Sequence, residues 1–509
     1  MHVRTTPVAS IRRIFGRRSG ETSKLATMSL PQKAHALREM RILLPTLGSS
    51  GDVHPVIALG LALQARGHQA TVITNEFFEE QIRNTGLGFL AMGTVAEAEK
   101  ILADPRLWDN AKAFECIAQT VMIPNIRRLY RLIEQHADLS RTVVVASGIC
   151  LGARVAQEKL GVRLATVHLQ PSMIRSYHDS GVVVRFALGP GVPNALKRTL
   201  FWLADTFLID RLLVPGLNAF RGELGLPPVH RLFDGYIHSP QLVIGLFPEW
   251  FAPIQPDWPQ NLHLPGFVLY DCRGYAEVSP EVDAFLAAGP PPVMFTPGSG
   301  AATLHDFFRE SVEACRRAGI RAMLVTNFPE QLPSHFPDGV RAFSYLPFSQ
   351  VLPRCAAMVY PGGIGTMAQT IHAGIPHLVV PYAHDQPDNA ARLERLGLGA
   401  HLNPQKYRAK TVAKLLKQLL ADTTLPERCK SYSARIRSDA ALARACALIE
   451  GLAPAPDLTE PPARTANANY SKGSSDQAIL CVRVTSRGCS SKGSTFFRKR
   501  SVCSKSACF

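Results

Sequence analysis

The stretch RILLPTLGSSGDVHP, Arg41 to Pro55, decides the fold. Arg41 to Leu47 is a short apolar run of strand character, and GSSGD is a turn of small residues ending in an acid. From about His54 to Arg66 apolar positions recur at helical spacing, with Pro55 suited to a first helical turn. Strand, glycine turn and helix in that order open a parallel βαβ unit. QATVITN (Gln69 to Asn75) supplies the next strand and Phe77 to Thr85 the next helix, and TVVVAS (Thr142 to Ser147) and RLATVH (Arg163 to His168) continue the sheet. This rhythm is that of a doubly wound α/β domain, whose ligands sit beyond the carboxyl ends of the strands.

Residues 173–235 break the rhythm with a helical insertion whose segment Leu200 to Leu213 is unusually apolar. The strand Leu242 to Phe247 follows, and proline-rich connections (PQNLHLPGF, then GPPPV at Gly289 to Val293) separate the halves. A second alternating series runs through strands Val293 to Thr296, Arg321 to Thr326, Val340 to Leu346, Ala357 to Tyr360 and His377 to Pro381, with helices Leu304 to Ala318, Thr366 to Ala373 and Pro387 to Leu396. Two similar-sized doubly wound domains in tandem are expected to face each other across a cleft that takes two substrates.

A net charge of +16 would point to nucleic acid or an acidic membrane if it were spread over the chain. It is not. Residues 1–40 hold eight Lys/Arg against two Glu, and residues 461–509 hold nine against Asp476 alone, so 14 of the 16 net charges lie in the ends. The body carries +2, and no nucleic-acid partner is expected for it. The basic ends are suited to peripheral contact with the anionic inner face of a membrane. Cys116, Cys150, Cys272, Cys315, Cys355, Cys429 and Cys446 stand singly in the body, no pair has CxxC spacing, and buried inert thiols in a reducing cytoplasm are expected rather than a zinc site. No apolar run approaches the ~20 residues of a membrane span. Residues 1–27 have the Arg and Ser/Thr content of an organelle transit peptide, while Met28 and Met40 offer later translation starts that would make the leader irrelevant. After Ala453 the composition shifts to Pro, Ser, Lys and Cys without periodicity, which reads as a disordered tail.

Three places carry candidate chemistry. In GSSGDVHP the small residues let the backbone approach a ligand, and Asp52 at the turn's exit points into the cleft. Taken alone, an Asp before a helix is more often an N-cap than a base, and His54 reads more simply as structural. In YPGGIGTMAQ (Tyr360 to Gln369), Gly362, Gly363 and Gly365 allow phosphates to approach, the helix N-terminus supplies N–H groups with partial positive charge, and Thr366 adds a hydroxyl. A plain tight strand–helix turn uses the same glycines. In HDQPDN (His384 to Asn389), Asp385, Gln386 and Asn389 put carboxylate acceptors and amide donors at one point, which suits sugar hydroxyls, although an Asx cap accounts for one of the three. TPGSG (Thr296 to Gly300), with Ser299, is a further backbone nest for an anion. Phosphate-friendly turns and a hydroxyl-binding cluster on one sheet edge point to a nucleotide-diphosphate sugar. Neither GxxxxGK[ST] nor GxGxxG opens either domain, which weakens NTPase and dinucleotide readings.

In combination these residues resemble the nucleotide-sugar-dependent glycosyltransferases of the GT-B fold, family 1, over about residues 41–450. TLGSSGDVHP resembles the G-[ST]-x-G-D-x-x-P turn of the bacterial and sterol-type branch, and SYLPFSQVLP, YPGGIGT and HDQPDNA resemble the family's donor signature. The resemblance implies two facing Rossmann-like domains with an interdomain cleft: an acceptor-binding domain over 41–270 and a nucleotide-sugar-binding domain over 271–453. It implies an inverting transfer with Asp52 as the base. Tyr345 would stack on the donor's base, backbone groups near Leu346 would read its edge, and Ser299, Gly363, Gly365 and Thr366 would hold the diphosphate, with Gly362 shaping the turn. Gln369 would sit near the ribose, and Asp385 and Gln386, with Asn389 beside them, would hold the sugar. No metal or other cofactor is expected, because the helix N-terminus would receive the leaving diphosphate.

Two departures from the family stand out. Pro361 occupies the usual place of a histidine beside the diphosphate and also lacks an N–H, and Gln369 replaces a frequent ribose-binding glutamate. An inactive nucleotide-sugar-binding protein and a sugar-nucleotide epimerase of the same architecture therefore stand as readings of other classes. Within the family the donor segment is most similar to the rhamnosyltransferases of rhamnolipid biosynthesis. That similarity implies transfer of L-rhamnose from dTDP-L-rhamnose to a hydrophobic hydroxylated acceptor, a 3-hydroxyacyl lipid. A sterol or macrolide glucosyltransferase using UDP-glucose is the alternative.

Overall fold

A computed structural model describes residues 39–109, 111–183, 186–187, 191–271, 278–298 and 305–453. The leader read as transit-like, the tail read as disordered, Cys272 and Ser299 lie outside the described residues. β1 (Arg41–Pro45), β2 (Gln69–Thr74), β3 (Gly88–Ala91), β4 (Thr142–Ser147) and β5 (Arg163–His168) precede a short antiparallel hairpin of β6 (Val182–Val183) and β7 (Phe186–Ala187). β8 (Leu242–Gly245) and β9 (Leu262–His263) follow. Apart from the hairpin, these strands form a parallel sheet in the order β3-β2-β1-β4-β5-β8-β9. β10 (Val293–Phe295), β11 (Ala322–Val325), β12 (Val340–Phe343), β13 (Ala357–Tyr360), β14 (His377–Val379) and β15 (Gly399–His401) form a second parallel sheet, ordered β12-β11-β10-β13-β14-β15.

The central strands are buried on both faces, as parallel strands covered by helices must be: Ile42, Leu43, Leu44, Val293, Met294 and Phe295 are all buried. Each sheet reverses its direction of growth once, between β1 and β4 and between β10 and β13, and an open α/β sheet has its ligand crevice at that switch point. The glycine turns singled out in the sequence leave β1 and β13 there. Periodicity alone does not reveal β3 or β15, because GFLA and GAH are too short to show alternation.

The insertion between the hairpin and β8 is helical, as its composition predicts, with helices Asn194–Ala204 and Asp210–Glu223 joined by a wider π turn at Asp205–Ile209. One side of it belongs to the core through Phe201, Leu213 and Leu217. The other exposes Leu196, Leu200, Trp202, Leu203, Phe207 and Leu208. The described body cysteines are buried free thiols, and burial pushes Cys315, Cys355 and Cys429 up to about 12, which makes them inert as expected. Among the described residues no helix is long and apolar enough to cross a membrane.

The two sheets share one continuous apolar cluster. Val53, Val56 and Leu63 of the first helix (Ser50–Ala65), Ile364 and Met367 of the helix after β13 (Ile364–Ala373), and Ala445 and Ile449 of the last helix (Ser438–Glu450) all belong to it. The last helix lies on the first. Where they meet, Glu450 accepts from Arg66 at 2.6 Å on each oxygen, and its Oε1 is 3.0 Å from His68 Nε2. His68 Nδ1 accepts from the Met40 N–H at 3.3 Å, which places the ring proton on Nε2, facing the carboxylate.

The hydrogen bond from Arg66 is the main cause that holds the Glu450 carboxyl below the usual range. A depressed carboxyl contributes stability above its unfolded pKa that is lost as pH falls through the folded value. Replacing Glu450 by Ala leaves the buried His68 N–H without its acceptor and is expected to lower unfolding free energy in denaturant by about 1–3 kcal/mol. The variant should also lose part of the wild-type destabilisation on acidification. A midpoint unchanged at pH 7 would show that the contact carries no stability.

Candidate active site

Ser49 is the N-cap of the first helix, which therefore starts at Ser50, four residues before the start read from periodicity. Two details of the sequence reading are corrected by this. Asp52 is not at the exit of a turn but at the third helical position, and Pro55 lies inside the helix rather than at its start. The Asp52 carboxylate completes a capping box: its Oδ2 accepts from the Ser49 N–H at 2.9 Å and from the Ser49 hydroxyl at 3.4 Å. Both contacts fall on Oδ2, which leaves Oδ1 as the oxygen that can take a proton. Capping and base chemistry are thus compatible in one side chain. Gly48 makes the arrangement possible. At φ +132° its absent Cβ would lie 2.1 Å from Asp52 Oδ2.

Asp52 lines a small, mostly apolar recess together with Leu44, Val145 and Val167 of β1, β4 and β5 and Leu246 just past β8. Burial raises its pKa to about 7. The hydrogen bonds from Ser49 oppose the rise, and the charge of Asp385 in the second domain adds to it. The structure therefore brings Asp52 and Asp385 within electrostatic reach across the cleft. His54 packs its ring edge on Tyr270, with centroids 5.4 Å apart, and reaches Gln81 at 3.0 Å. Burial pushes it down to about 4, so it is neutral and engaged in packing, as the structural reading holds.

At the second switch point β13 ends at Tyr360 and runs into Pro361, Gly362 and Gly363. Gly362 has φ +100°, and a Cβ there would lie 2.6 Å from Val379 Cγ1, so the turn demands glycine. Gly363 is the N-cap of the helix Ile364–Ala373. Gly365 and Thr366 lie in its first turn, where backbone N–H groups have no intrahelical acceptor. Asp385 Oδ2 accepts from the first of these groups, Ile364 N, at 3.3 Å. Asp385 is also the N-cap of the helix Gln386–Arg395 and follows His384, whose φ of 62° is a left-handed conformation rare outside glycine. Burial pushes the Asp385 carboxyl up to about 6, with the hydrogen bond from Asn389 opposing it.

Of two residues read as sugar contacts, Asn389 uses its amide N–H groups internally and Gln386 its amide oxygen. Asn389 donates to Asp385 Oδ2 at 2.6 Å and to the Gly362 carbonyl at 3.0 Å, and it is fully buried. Gln386 is buried and accepts from Tyr382 N at 2.8 Å and Ala383 N at 3.2 Å. Sequence spacing sets both beside Asp385. Only the tertiary fold shows that Asn389 spends its amide holding the glycine turn and the carboxylate together.

Leu346 is buried, and Tyr345 donates through its hydroxyl to Asp271 Oδ1 at 3.4 Å. Asp271 Oδ2 also accepts from Ser349 N at 2.7 Å, so this acid of the interdomain connection fixes the loop read as the base site. No motif marks it in the sequence. Gln369 donates to the Tyr270 carbonyl at 3.4 Å, while its Oε1 is buried with no donor among the described residues. A ribose hydroxyl would satisfy that acceptor. Pro361 is buried, and a Cβ on Gly298 would lie 3.7 Å from its Cγ, so this position of the turn offers neither a side-chain donor nor a backbone N–H.

Both domains are matched by known protein families. The glycosyltransferase family 28 N-terminal domain matches residues 42–177, and the C-terminal domain of erythromycin biosynthesis protein CIII-like proteins matches residues 320–447. The chain is 30% identical over 432 residues to the O-mycaminosyltylonolide 6-deoxyallosyltransferase of Streptomyces fradiae, covering 81% of this chain and 97% of that protein. It belongs to the family of GT-B nucleotide-sugar glycosyltransferases that includes the macrolide and antibiotic enzymes, and it is a hexosyltransferase. The same fold is seen in the glycotransferase of kitacinnamycin (TM-score 0.63, 19% identity, 82% of this chain and 100% of that one). It recurs in a spinosyn rhamnosyltransferase complexed with thymidine diphosphate (TM-score 0.56, 20% identity, 80% and 99%).

Asp52 near 7 and Asp385 near 6 should release their protons in two macroscopic steps. A general base must be deprotonated, so kcat/KM should rise with pH, by up to about tenfold per unit on the acid limb, and level off above about 7. In Asp385→Asn the neighbouring charge is gone and the residual activity should show an acid limb displaced to lower pH. A flat profile between pH 5 and 8 would remove either carboxylate from that role.

Proposed function

We propose that the chain transfers a 6-deoxyhexose, L-rhamnose from dTDP-L-rhamnose, with inversion to a hydroxyl of a 3-hydroxyacyl lipid. The observation that carries the catalytic part is Asp52, its carboxyl pushed up to about 7 by burial, within electrostatic reach of Asp385. The acceptor oxygen attacks the anomeric carbon from the face opposite the diphosphate. Asp52 Oδ1 takes the hydroxyl proton as the new bond forms, and the bond from the anomeric carbon to the diphosphate breaks. The first-turn N–H groups at Gly365 and Thr366 receive the charge of the leaving diphosphate. Asp385 accepts from the sugar's hydroxyls, and Gln369 Oε1 accepts from the ribose.

A 6-deoxyhexose donor is supported by the relative named for 6-deoxyallosyl transfer. A fatty acceptor is supported by the donor segment's wording and by the exposed apolar side of the insertion, carried by the domain that holds Asp52. Such a face, with the basic ends, suits an enzyme resting on the inner membrane face beside its acceptor. The second reading, a macrolide acceptor, is favoured by the same relative, whose name gives a tylonolide derivative.

Mass spectrometry of products from dTDP-rhamnose or UDP-glucose with 3-hydroxyacyl lipids and macrolide aglycones separates these readings. A rhamnosylated hydroxy-lipid is expected. A macrolide product alone would favour the second reading, and donor conversion without any acceptor would reveal an epimerase. Asp52→Asn should lower turnover by about 10²- to 10⁴-fold while leaving dTDP affinity nearly unchanged. Turnover is expected to survive excess chelator, and strict metal dependence would overturn the metal-free departure of the diphosphate.

A further inference from the structure

The helix Gln386–Arg395, whose N-cap is Asp385, is gripped by the opposite domain. Arg392 is 2% exposed and Asp388 1%, and Arg392 Nε donates to Asp388 Oδ2 at 2.8 Å. The other arm of the same guanidinium donates to Asp179 Oδ2 at 2.8 Å, and Arg395 reaches Asp179 Oδ1 at 3.3 Å. Asp179 belongs to the acceptor-side segment between β5 and β6. That segment is tied to its own domain, since Asp257 accepts from the Ser176 hydroxyl at 2.7 Å and from Tyr177 N at 2.6 Å. Two residues on, Gly181 at φ +64° lies so close to Asp388 that a Cβ would meet its Oδ1 at 2.7 Å. A second contact between the domains flanks the same helix start: Trp108 of the first domain meets the His384 ring edge-on, with centroids 5.6 Å apart.

We propose that Asp179 is a positioning residue: through Arg392 and Asp388 it fixes the start of the helix that carries Asp385, so that the donor-sugar carboxylate and Asp52 are aligned only while the acceptor-side segment 176–181 is seated. The inference rests on the transferase reading and deepens it, because it makes seating of the acceptor loop a condition for productive donor geometry. The ionic logic is complementary, with two carboxylates and two guanidiniums at one junction. Burial opposes the charge of Asp179, and the Arg392 and Arg395 guanidiniums overcome it and hold the carboxyl below its usual range. Without the charge of Asp179, the buried Arg392 still keeps Asp388 as its partner at 2.8 Å, so what is lost is the link between the domains and not the neutralisation of a buried charge.

The variant Asp179→Asn keeps the side chain's shape and removes its charge. Small misplacements of reacting groups lower rates by up to about 100-fold, so kcat for transfer should fall on the order of tenfold or more, with dTDP affinity and thermal midpoint unchanged. Nucleotide-sugar hydrolysis without acceptor should rise relative to transfer, and Asp179→Glu should restore part of kcat. Gly181→Ala, which pushes the segment away from Asp388, should reproduce the kcat loss. In dTDP-bound protein, amide exchange over residues 384–392 should be faster in Asp179→Asn than in the wild type. Equal kcat and equal exchange would overturn the proposal, and so would a kcat loss matched by falls in both thermal midpoint and dTDP affinity. If the wild type turns over no donor, the transferase reading fails, and the exchange comparison still decides whether Asp179 fixes this helix.

Discussion

Two carboxylates that share one desolvated crevice set the terms for the rest of the molecule. Asp52 and Asp385 come from different sheets, and each sits at the start of a helix, where backbone N–H groups offer partial positive charge. Burial drives both pKa values up and their mutual repulsion adds to that of Asp52, so neither is an ordinary surface acid. The arrangement is stable only because Ser49 donates to one and Asn389 and Ile364 donate to the other. Under the proposed transfer, the same tension would give a base tuned to neutral pH on one side and an acceptor for hydroxyls on the other.

The close approach that this requires is written into the backbone at two glycines. Gly48 leaves room for the Asp52 carboxylate and Gly362 for Val379, both at positive φ. Around them the domains are joined by an apolar cluster running through both sheets, with the last helix folded back on the first. Polar contacts at the rim then fix the relation finely: Arg66 and His68 to Glu450 at one end, and Asp179 to Arg392 at the other. Apolar burial holds the domains together without direction, and the charged pairs supply the direction.

Much of the fold was legible because parallel strands buried on both faces must read as short apolar runs, and the helices between them must carry a stripe. RILLP, TVVVAS and AMVY could be little else. The helix start at Ser50 is hidden in the sequence because the glycines and serines of GSSGD look like a loop, whereas Ser49 and Asp52 close a capping box three residues apart. Gln386 and Asn389 were legible as neighbours of Asp385 but not in their duties, since a side-chain amide is equally able to meet a ligand or a backbone carbonyl. Asp271 had no signal at all. Its role exists only because the interdomain connection passes the loop of Tyr345 and Ser349.

By itself the sequence determined the two doubly wound domains, the switch-point turns after β1 and β13, and the low net charge of the body, because local spacing and composition dictate each of them. Only the tertiary structure decided that residues as distant as 52 and 385, or 179 and 392, act on one another. Desolvation and ion pairing depend on what surrounds a group in space, and no spacing along the chain encodes that.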